Sequence, residues 1–279
     1  MSRTAGEVLT ATIRTRVDTI LRREALVRTD APDVVHRTRT GVRRLRSTLR
    51  TFAPFVDTDR LDAARLDDDL TRWGRLLGHA RDAEVQRARL AAVSRDLDTA
   101  LLPGVAALDA VLRRRHAAAL GRVRSELDAP SHRDLVKRLR ALAEDPPLRE
   151  AAATRARPAL EPRLDKAMRK VRRRSDRASG RGVEELHKVR KAARRARYAA
   201  DVLASFGSGS KARAAKRAAK GYRAVQDLLG EHHDAAVLRE TLAELRTPRT
   251  ADAVDALDAL EERRAREALA GWDPDDLPG

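Results

Sequence analysis

The chain contains no cysteine. Disulfides, thiolate metal sites and cysteine nucleophiles are therefore excluded. Phe, Trp and Tyr together make up only 3% of the residues, and runs of β-branched residues are missing, so extended sheets are not expected. No apolar stretch approaches the ~20 residues that a membrane-spanning helix requires. The first residues, MSRTAGEVLTATIRTRV, carry charges and threonines where a secretory signal has an apolar core. These absences point to a cytoplasmic protein with no membrane partner. Acid is missing in two places where it would be most useful. None lies between Asp33 and Asp57, or between Glu185 and Asp201.

What is present is helical. Leu, Ala, Arg, Asp and Glu dominate, and 42% of the residues are apolar, enough for a sizeable core. The length of 279 residues fits one large domain or two of about 140. The net charge is +17 and the pI near 11.2. Such an excess favours anionic partners: nucleic acid, an anionic membrane surface or inorganic phosphate chains.

The two acid-free windows hold related sequences. HRTRTGVRRLRSTLR starts at His36, and HKVRKAARRAR starts at His187. They align without a gap at an offset of 151 residues, matching His36 to His187, Arg39 to Arg190, Arg43 to Arg194, Arg44 to Arg195 and Arg46 to Arg197. With roughly 100° of turn per residue, His36, Arg39, Arg43, Arg46 and Arg50 share one helical stripe. Val35, Thr38, Val42, Leu45, Leu49 and Phe52 share the adjoining one. In the second copy His187, Arg190, Arg194 and Arg197 lie beside Leu186, Val189, Ala193, Ala196, Ala200 and Leu203. Each helix thus has an apolar edge for packing and a basic edge next to it. Like charges three or four residues apart repel by ~0.2–0.5 kcal/mol per pair. A solvated helix interleaves Glu to relieve this. Two registered stripes without acids instead call for an external polyanion.

A second motif repeats in the same order. Leu77-Gly78 and Arg81-Asp82-Ala83-Glu84-Val85 return as Leu229-Gly230 and His233-Asp234-Ala235-Ala236-Val237, at an offset of 152 residues. Predicted helices cover 5–28, 36–52, 58–77, 79–98, 105–127, 132–144, 159–178, 187–204, 211–229 and 250–270. Asp33 is expected to cap the His36 helix, and Gly78 and Gly230 to end helices in left-handed conformations. The pattern predicts an all-α fold: two pseudo-symmetric, internally duplicated antiparallel helical bundles around a central basic groove or pore. The expected boundaries are 1–129 and 159–271 for the two halves, 130–158 for a connector and 272–279 for a loose acidic tail.

The paired motifs resemble the CHAD family, the conserved histidine α-helical domain. The resemblance rests on His36-x-x-Arg39-x-x-x-Arg43-Arg44-x-Arg46 with its copy at His187, and on Leu77-Gly78-x-x-Arg81-Asp82 with its copy at Leu229-Gly230. It covers about residues 5–270. It implies two pseudo-symmetric helical bundles that bind inorganic polyphosphate in a central basic cavity. The family is often joined to a CYTH triphosphatase domain, whose Glu-x-Glu-x-Lys signature does not occur in this sequence. The second copy departs from the pattern in placing His233 where the first has Arg81.

The expected site follows from the stripes. Polyphosphate offers a regular row of anionic oxygens, and the guanidinium fork donates two hydrogen bonds to one phosphate. Arg39, Arg43, Arg46, Arg190, Arg194 and Arg197 are the leading candidates, with Arg50 beside them although its counterpart is Asp201. Arg44 and Arg195 face elsewhere and are expected to be solvated. His36 and His187 either donate to phosphate or bond a neighbour at the helix start. Lys216, Lys220 and Arg223 form a further basic face, as do Lys166, Arg169, Lys170 and Arg173. Lys216 and Lys220 align with Ala64 and Asp68, so the first half lacks that face, and an asymmetric site, more basic in the second half, is expected. Asp82 and Asp234 read as structural carboxylates, and Asp67-Asp68-Asp69 as a solvated run. No catalytic residue, metal site or cofactor is expected.

The function expected is non-catalytic binding of inorganic polyphosphate, with association to polyphosphate granules as one cellular setting. Two alternatives compete. A sequence-nonspecific nucleic-acid binder would be held by charge alone, but single strands need aromatic platforms, and no aromatic lies within either stripe. A polyphosphate or triphosphate phosphohydrolase would need clustered carboxylates around a metal.

Overall fold

The computed structural model describes residues 3–31, 33–178, 182–273 and 277–278. Among these the fold is all-α, with no strand. The helices are α1 (Ala5–Leu21), α2 (Glu24–Arg28), α3 (Val34–Thr51), α4 (Ala63–Val93), α5 (Leu102–Asp128), α6 (Pro130–Glu144), α7 (Ala156–Ala178), α8 (Val183–Ala204), α9 (Gly209–Glu244) and α10 (Ala251–Ala270). Helix α1 starts in a capping box. The Thr4 hydroxyl accepts from the Glu7 N–H at 3.1 Å, and the Glu7 carboxylate accepts from the Thr4 N–H at 2.7 Å. No helix among the described residues is long and apolar enough to cross a membrane.

Helices α1 and α3–α6 enclose one core. Ile13 and Val17 of α1, Val42 and Leu45 of α3, Leu70 and Trp73 of α4, Val123 of α5 and Leu139 of α6 are all buried in it. Helix α6 is therefore part of this core as well as the link to α7. Helix α8 lies between α7 and α9, and Val171, Val189, Ala193, Ala196, Tyr222 and Leu229 close a second core. The apolar stripes of α3 and α8 expected from the sequence are the faces turned into these cores.

Two seams join the N-terminal helices to the C-terminal ones. In the first, Val8 and Leu9 of α1 meet Leu160 of α7, Leu203 of α8 and the rings of Phe52, Phe55 and Phe206. In the second, Leu90 and Val93 of α4 and Leu108 and Leu112 of α5 meet Leu238 and Leu242 of α9 and Val254 and Leu257 of α10. The second seam carries a buried ion pair. The Arg89 Nε donates to Glu261 at 2.7 Å, and Glu261 is fully buried. Helices α3 and α8 also pack on each other directly.

Several local expectations are corrected. Gly78 and Gly230 do not end helices; α4 and α9 run straight through them, for 31 and 36 residues. Asp33 does not cap α3 through its side chain. It takes a left-handed conformation with φ of 62° and pairs with Arg37 at 3.1 Å. Asp67 and Asp69 are not solvated: Asp67 binds Arg46 and Arg50, and Asp69 binds Arg72 and Arg138. The tail is not wholly loose. Leu277 is buried in the second core, and the Pro278 carbonyl accepts from the Tyr222 hydroxyl at 3.0 Å. Residues 274–276 and 279 lie outside the described residues.

Candidate functional site

His36 stands in the first turn of α3 and His187 at the start of the second turn of α8, and the following turns carry the paired arginines. Because each basic edge adjoins an apolar edge, burying the latter leaves the former at the rim of its core. The α3–α8 contact brings the two rims together. The result is a cavity of about 340 Å³, closed on its other sides by α4 and α9. His36, Arg39 and Arg43 reach it from α3, and His187, Arg190, Lys191 and Arg194 from α8. Helix α4 adds Arg81, Asp82, Gln86 and Arg89, and α9 adds His233 and Asp234. Seven cationic side chains thus face two carboxylates.

The repeated glycines explain how two of the arginines are held. A Cβ on Gly78 would stand 3.3 Å from the Arg39 guanidinium, and one on Gly230 would stand 3.2 Å from that of Arg190. A methyl group at either position would push the guanidinium off by a few tenths of an ångström, so glycine lets the arginine lie close across the helix. Asp82, four residues beyond Gly78, accepts from Arg39 Nη1 at 3.3 Å. Asp234, four residues beyond Gly230, occupies the matching place. Burial pushes its carboxyl above the usual range, and the Arg190 charge opposes that shift.

The remaining cations are less well matched. Arg81 pairs with Glu84 at 2.9 Å, and Arg89 pairs with Glu231 and Glu261. Among the described residues no carboxylate lies within ion-pairing distance of Arg43, Arg190, Lys191 or Arg194. Arg43 Nε is buried without a hydrogen-bond partner. Burial, and next to it the Arg194 charge, hold the Arg43 guanidinium down to about 10. Arg194 is lowered by burial and by Arg190 and Arg39. The protein thus keeps partly desolvated like charges in one space.

The histidines share that field. The rings of His187 and His233 lie 4.5 Å apart, centroid to centroid. Burial, then His233 and the neighbouring cations, hold His187 down to about 4. His36 is lowered by burial and by Arg81, and His233 by burial and by Arg190. All three are neutral near pH 7.

Six of the expected ligand-binding arginines and lysines on α3, α8 and α9 stand elsewhere. Arg46 and Arg50 turn along α3 to the Asp67 carboxylate, with Nε–Oδ1 distances of 3.0 and 3.1 Å. Arg197 donates to the Gln226 side chain at 3.4 Å and lies over the Tyr198 ring. Lys216 and Lys220 are exposed on α9, away from the cavity lining. So is Arg223, which pairs with Asp227 at 3.6 Å. On α7, Arg169 and Arg173 are exposed; Arg169 lines a separate groove with Tyr222 and Leu277. The additional basic faces of the second half therefore lie outside the cavity. Arg44, expected to be solvated, is half-buried over Tyr198.

The cavity also contains residues the stripes did not point to: Arg81, Gln86, Arg89, Lys191 and His233. A signal existed for two of them. Arg81 and His233 stand at equal distances from Leu77-Gly78 and Leu229-Gly230, so the repeat itself marks that position as a wall of the site.

The model of the CHAD domain matches residues 11–243. The chain belongs to the CHAD family. Two uncharacterized Mycobacterium tuberculosis proteins, MT2285 of strain CDC 1551 / Oshkosh and Rv2226 of strain ATCC 25618 / H37Rv, are each 32% identical to it over 243 residues. The match covers 82% of this chain but 44% of each of those proteins, so the chain spans less than half the length of the curated relatives it matches. The fold is similar to the CHAD domain of the plant Ricinus communis, with a TM-score of 0.72, 23% identity and coverage of 98% and 94% of the two chains. It is equally similar to PptA from Streptomyces chartreusis, with a TM-score of 0.72, 21% identity and coverage of 96% and 97%.

The glycine seats give a direct test. Gly78→Ala places a methyl group against Arg39 within an otherwise regular helix, so helix content is expected to persist while Arg39 is displaced from the cavity wall. Titration with long-chain polyphosphate is expected to show about tenfold weaker binding, the loss of one charge-assisted hydrogen bond. Unchanged binding would show that the seat does not position Arg39 for a ligand.

Proposed function

We propose that this CHAD protein binds inorganic polyphosphate without catalysis, in the cavity between α3, α4, α8 and α9. The observation that carries this reading is the convergence of Arg43, Arg190, Lys191 and Arg194 without carboxylate partners among the described residues. The CHAD family is associated with polyphosphate binding, which agrees with it. A polymer with an anionic oxygen on every unit neutralises several of these cations at once and offers nothing else to be read. Arg39 and Arg190, fixed across Gly78 and Gly230, supply pre-positioned donors, which lowers the ordering cost of binding.

Two features favour polyphosphate over the alternatives. Most of the large aromatics are packed inward: Phe52, Trp73, Tyr222 and Tyr198 are at most 3% exposed and offer bases no platform, and none lines the cavity. Of the two cavity carboxylates, Asp82 is engaged by Arg39, and among the described residues no group of three or more His, Asp or Glu gathers at metal-binding spacing. The reading therefore assigns Arg39, Arg43, Arg190, Arg194, Lys191, His36 and His187 to the ligand and leaves Arg46, Arg50 and Arg197 as supports of their own helices.

Two measurements test it. The double variant Arg43→Ala/Arg194→Ala is expected to keep its helix content and to bind long-chain polyphosphate at least roughly hundredfold more weakly, two charge-assisted contacts having gone. With the parent protein at moderate salt, polyphosphate should displace duplex DNA and DNA should not displace polyphosphate; the reverse order would favour the nucleic-acid reading. Affinity should also depend on pH. His187 is neutral in the free protein down to about pH 4, and a bound polyanion raises its pKa, so binding takes up a proton. Affinity is then expected to rise as pH falls from 7.5 to 5.5, by up to ~tenfold per pH unit for each proton taken up. His187→Gln should flatten that slope.

A further inference from the structure

A second basic pocket lies between α1, α3 and α8, and of the repeated motifs only Arg44 reaches it. It encloses about 540 Å³. Arg16 enters from α1 and Arg44 from α3, with Arg3 at the edge. One branch of the Arg16 fork is used: Nη1 donates to the Arg44 carbonyl at 2.7 Å. Arg44 lies 5.6 Å over the Tyr198 ring, and its Nε is buried without a partner. Among the described residues no carboxylate is within ion-pairing distance of either guanidinium. Burial, then the Arg44 charge, hold Arg16 down to about 10, against the opposing pull of Asp201 and Tyr198.

The pocket is separate from the polyphosphate cavity. Tyr198 is 3% exposed and lies between them, close enough to Arg43 and Arg194 on one side and to Arg16 on the other to act on the charge of each. The linings also differ in their charge. The cavity sets seven arginines and lysines against two carboxylates. The pocket combines its two inner arginines with Val8 and Val202, with the hydroxyls of Thr12 and Ser205, and with one carboxylate, Asp201. A phosphate polymer, charged on every unit, finds only Arg16, Arg44 and Arg3 to neutralise it here, against seven arginines and lysines in the cavity. A phosphate monoester places a charge of roughly −1.5 to −2 at one end and a neutral, hydroxylated body at the other. Its phosphoryl oxygens fit the free donors of Arg16 and Arg44, and its body offers hydroxyls that Asp201 can accept from.

We propose that this pocket binds a small phosphate monoester of a hydroxylated body, with Arg16 and Arg44 holding the phosphoryl group and Asp201 accepting from the body. Sugar phosphates and nucleoside monophosphates share this chemistry. The inference goes beyond the polyphosphate reading and stands on different residues.

Calorimetric titration of the full chain with glucose 6-phosphate, AMP and inorganic phosphate tests it. At least one ester is expected to bind at one site per chain and more tightly than inorganic phosphate, and which ester does so separates the two sources. Arg16→Gln and Arg44→Gln, each checked for helix content, should weaken that binding by about tenfold, one charge-assisted hydrogen bond being lost. Asp201→Asn, which keeps both arginines, should weaken the ester relative to inorganic phosphate, whose own binding it does not weaken. Arg43→Ala/Arg194→Ala should leave ester binding unchanged, and Arg16→Gln should leave polyphosphate binding unchanged. The proposal is overturned if no ester binds, if inorganic phosphate binds as well as the esters, or if Asp201→Asn has no effect. It is equally overturned if Arg44→Gln weakens polyphosphate as much as ester, since the pocket would then belong to the polymer's path.

Discussion

The structure depends on holding together two helix edges that repel. Helices α3 and α8 meet with Arg43 and Arg194 facing a common space; the Arg194 charge weakens the hold of Arg43 on its proton, and Arg190 and Arg39 weaken that of Arg194. Close like charges at an effective dielectric of about 20 repel by a few kcal/mol, and the fold offsets this repulsion with its apolar seams. A fully buried Leu or Phe contributes about 1.5–3 kcal/mol, so a few such side chains suffice, and each seam contains more. The cavity is thus basic because the cores beside it are apolar. Each arginine row occupies the edge next to the stripe that the core takes in.

The acids are distributed to fit this arrangement. Asp67 neutralises Arg46 and Arg50 further along α3, and Glu261 and Glu231 hold Arg89 at the α4–α10 seam. Asp82 binds Arg39 from the side and steers it across Gly78. Within the cavity, the cations left unmatched among the described residues are Arg43, Arg190, Lys191 and Arg194, all on α3 and α8. The exposed lysines of α9 and arginines of α7 add to the general field without entering the cavity.

The fold class and the two central helices were legible in the sequence because their signals are local. Spacings of three and four set the apolar and basic stripes, and the gapless register paired Arg39 with Arg190 and Arg43 with Arg194. What misled was anything decided by a tertiary neighbour. Gly78 and Gly230 look like helix ends because glycine usually serves there; only the arginine lying across each shows why it sits mid-helix. Arg46 and Arg50 share the stripe of Arg43, but Asp67 arrives from α4 and claims them. Arg89 and Lys191 had no periodic signal, since their place in the wall is set by how α4 and α8 are packed. His233 was visible only as a mismatch to Arg81, and its stacking on His187 follows from the α8–α9 contact.

The most direct test of unmatched like charges at the α3–α8 contact is thermal unfolding of Arg43→Gln/Arg194→Gln beside the parent, with and without long-chain polyphosphate. If the repulsion is as described, the variant without ligand is at least as stable as the parent, and polyphosphate stabilises the parent far more than the variant. A variant that is markedly less stable alone, yet gains as much from polyphosphate as the parent does, would contradict the account.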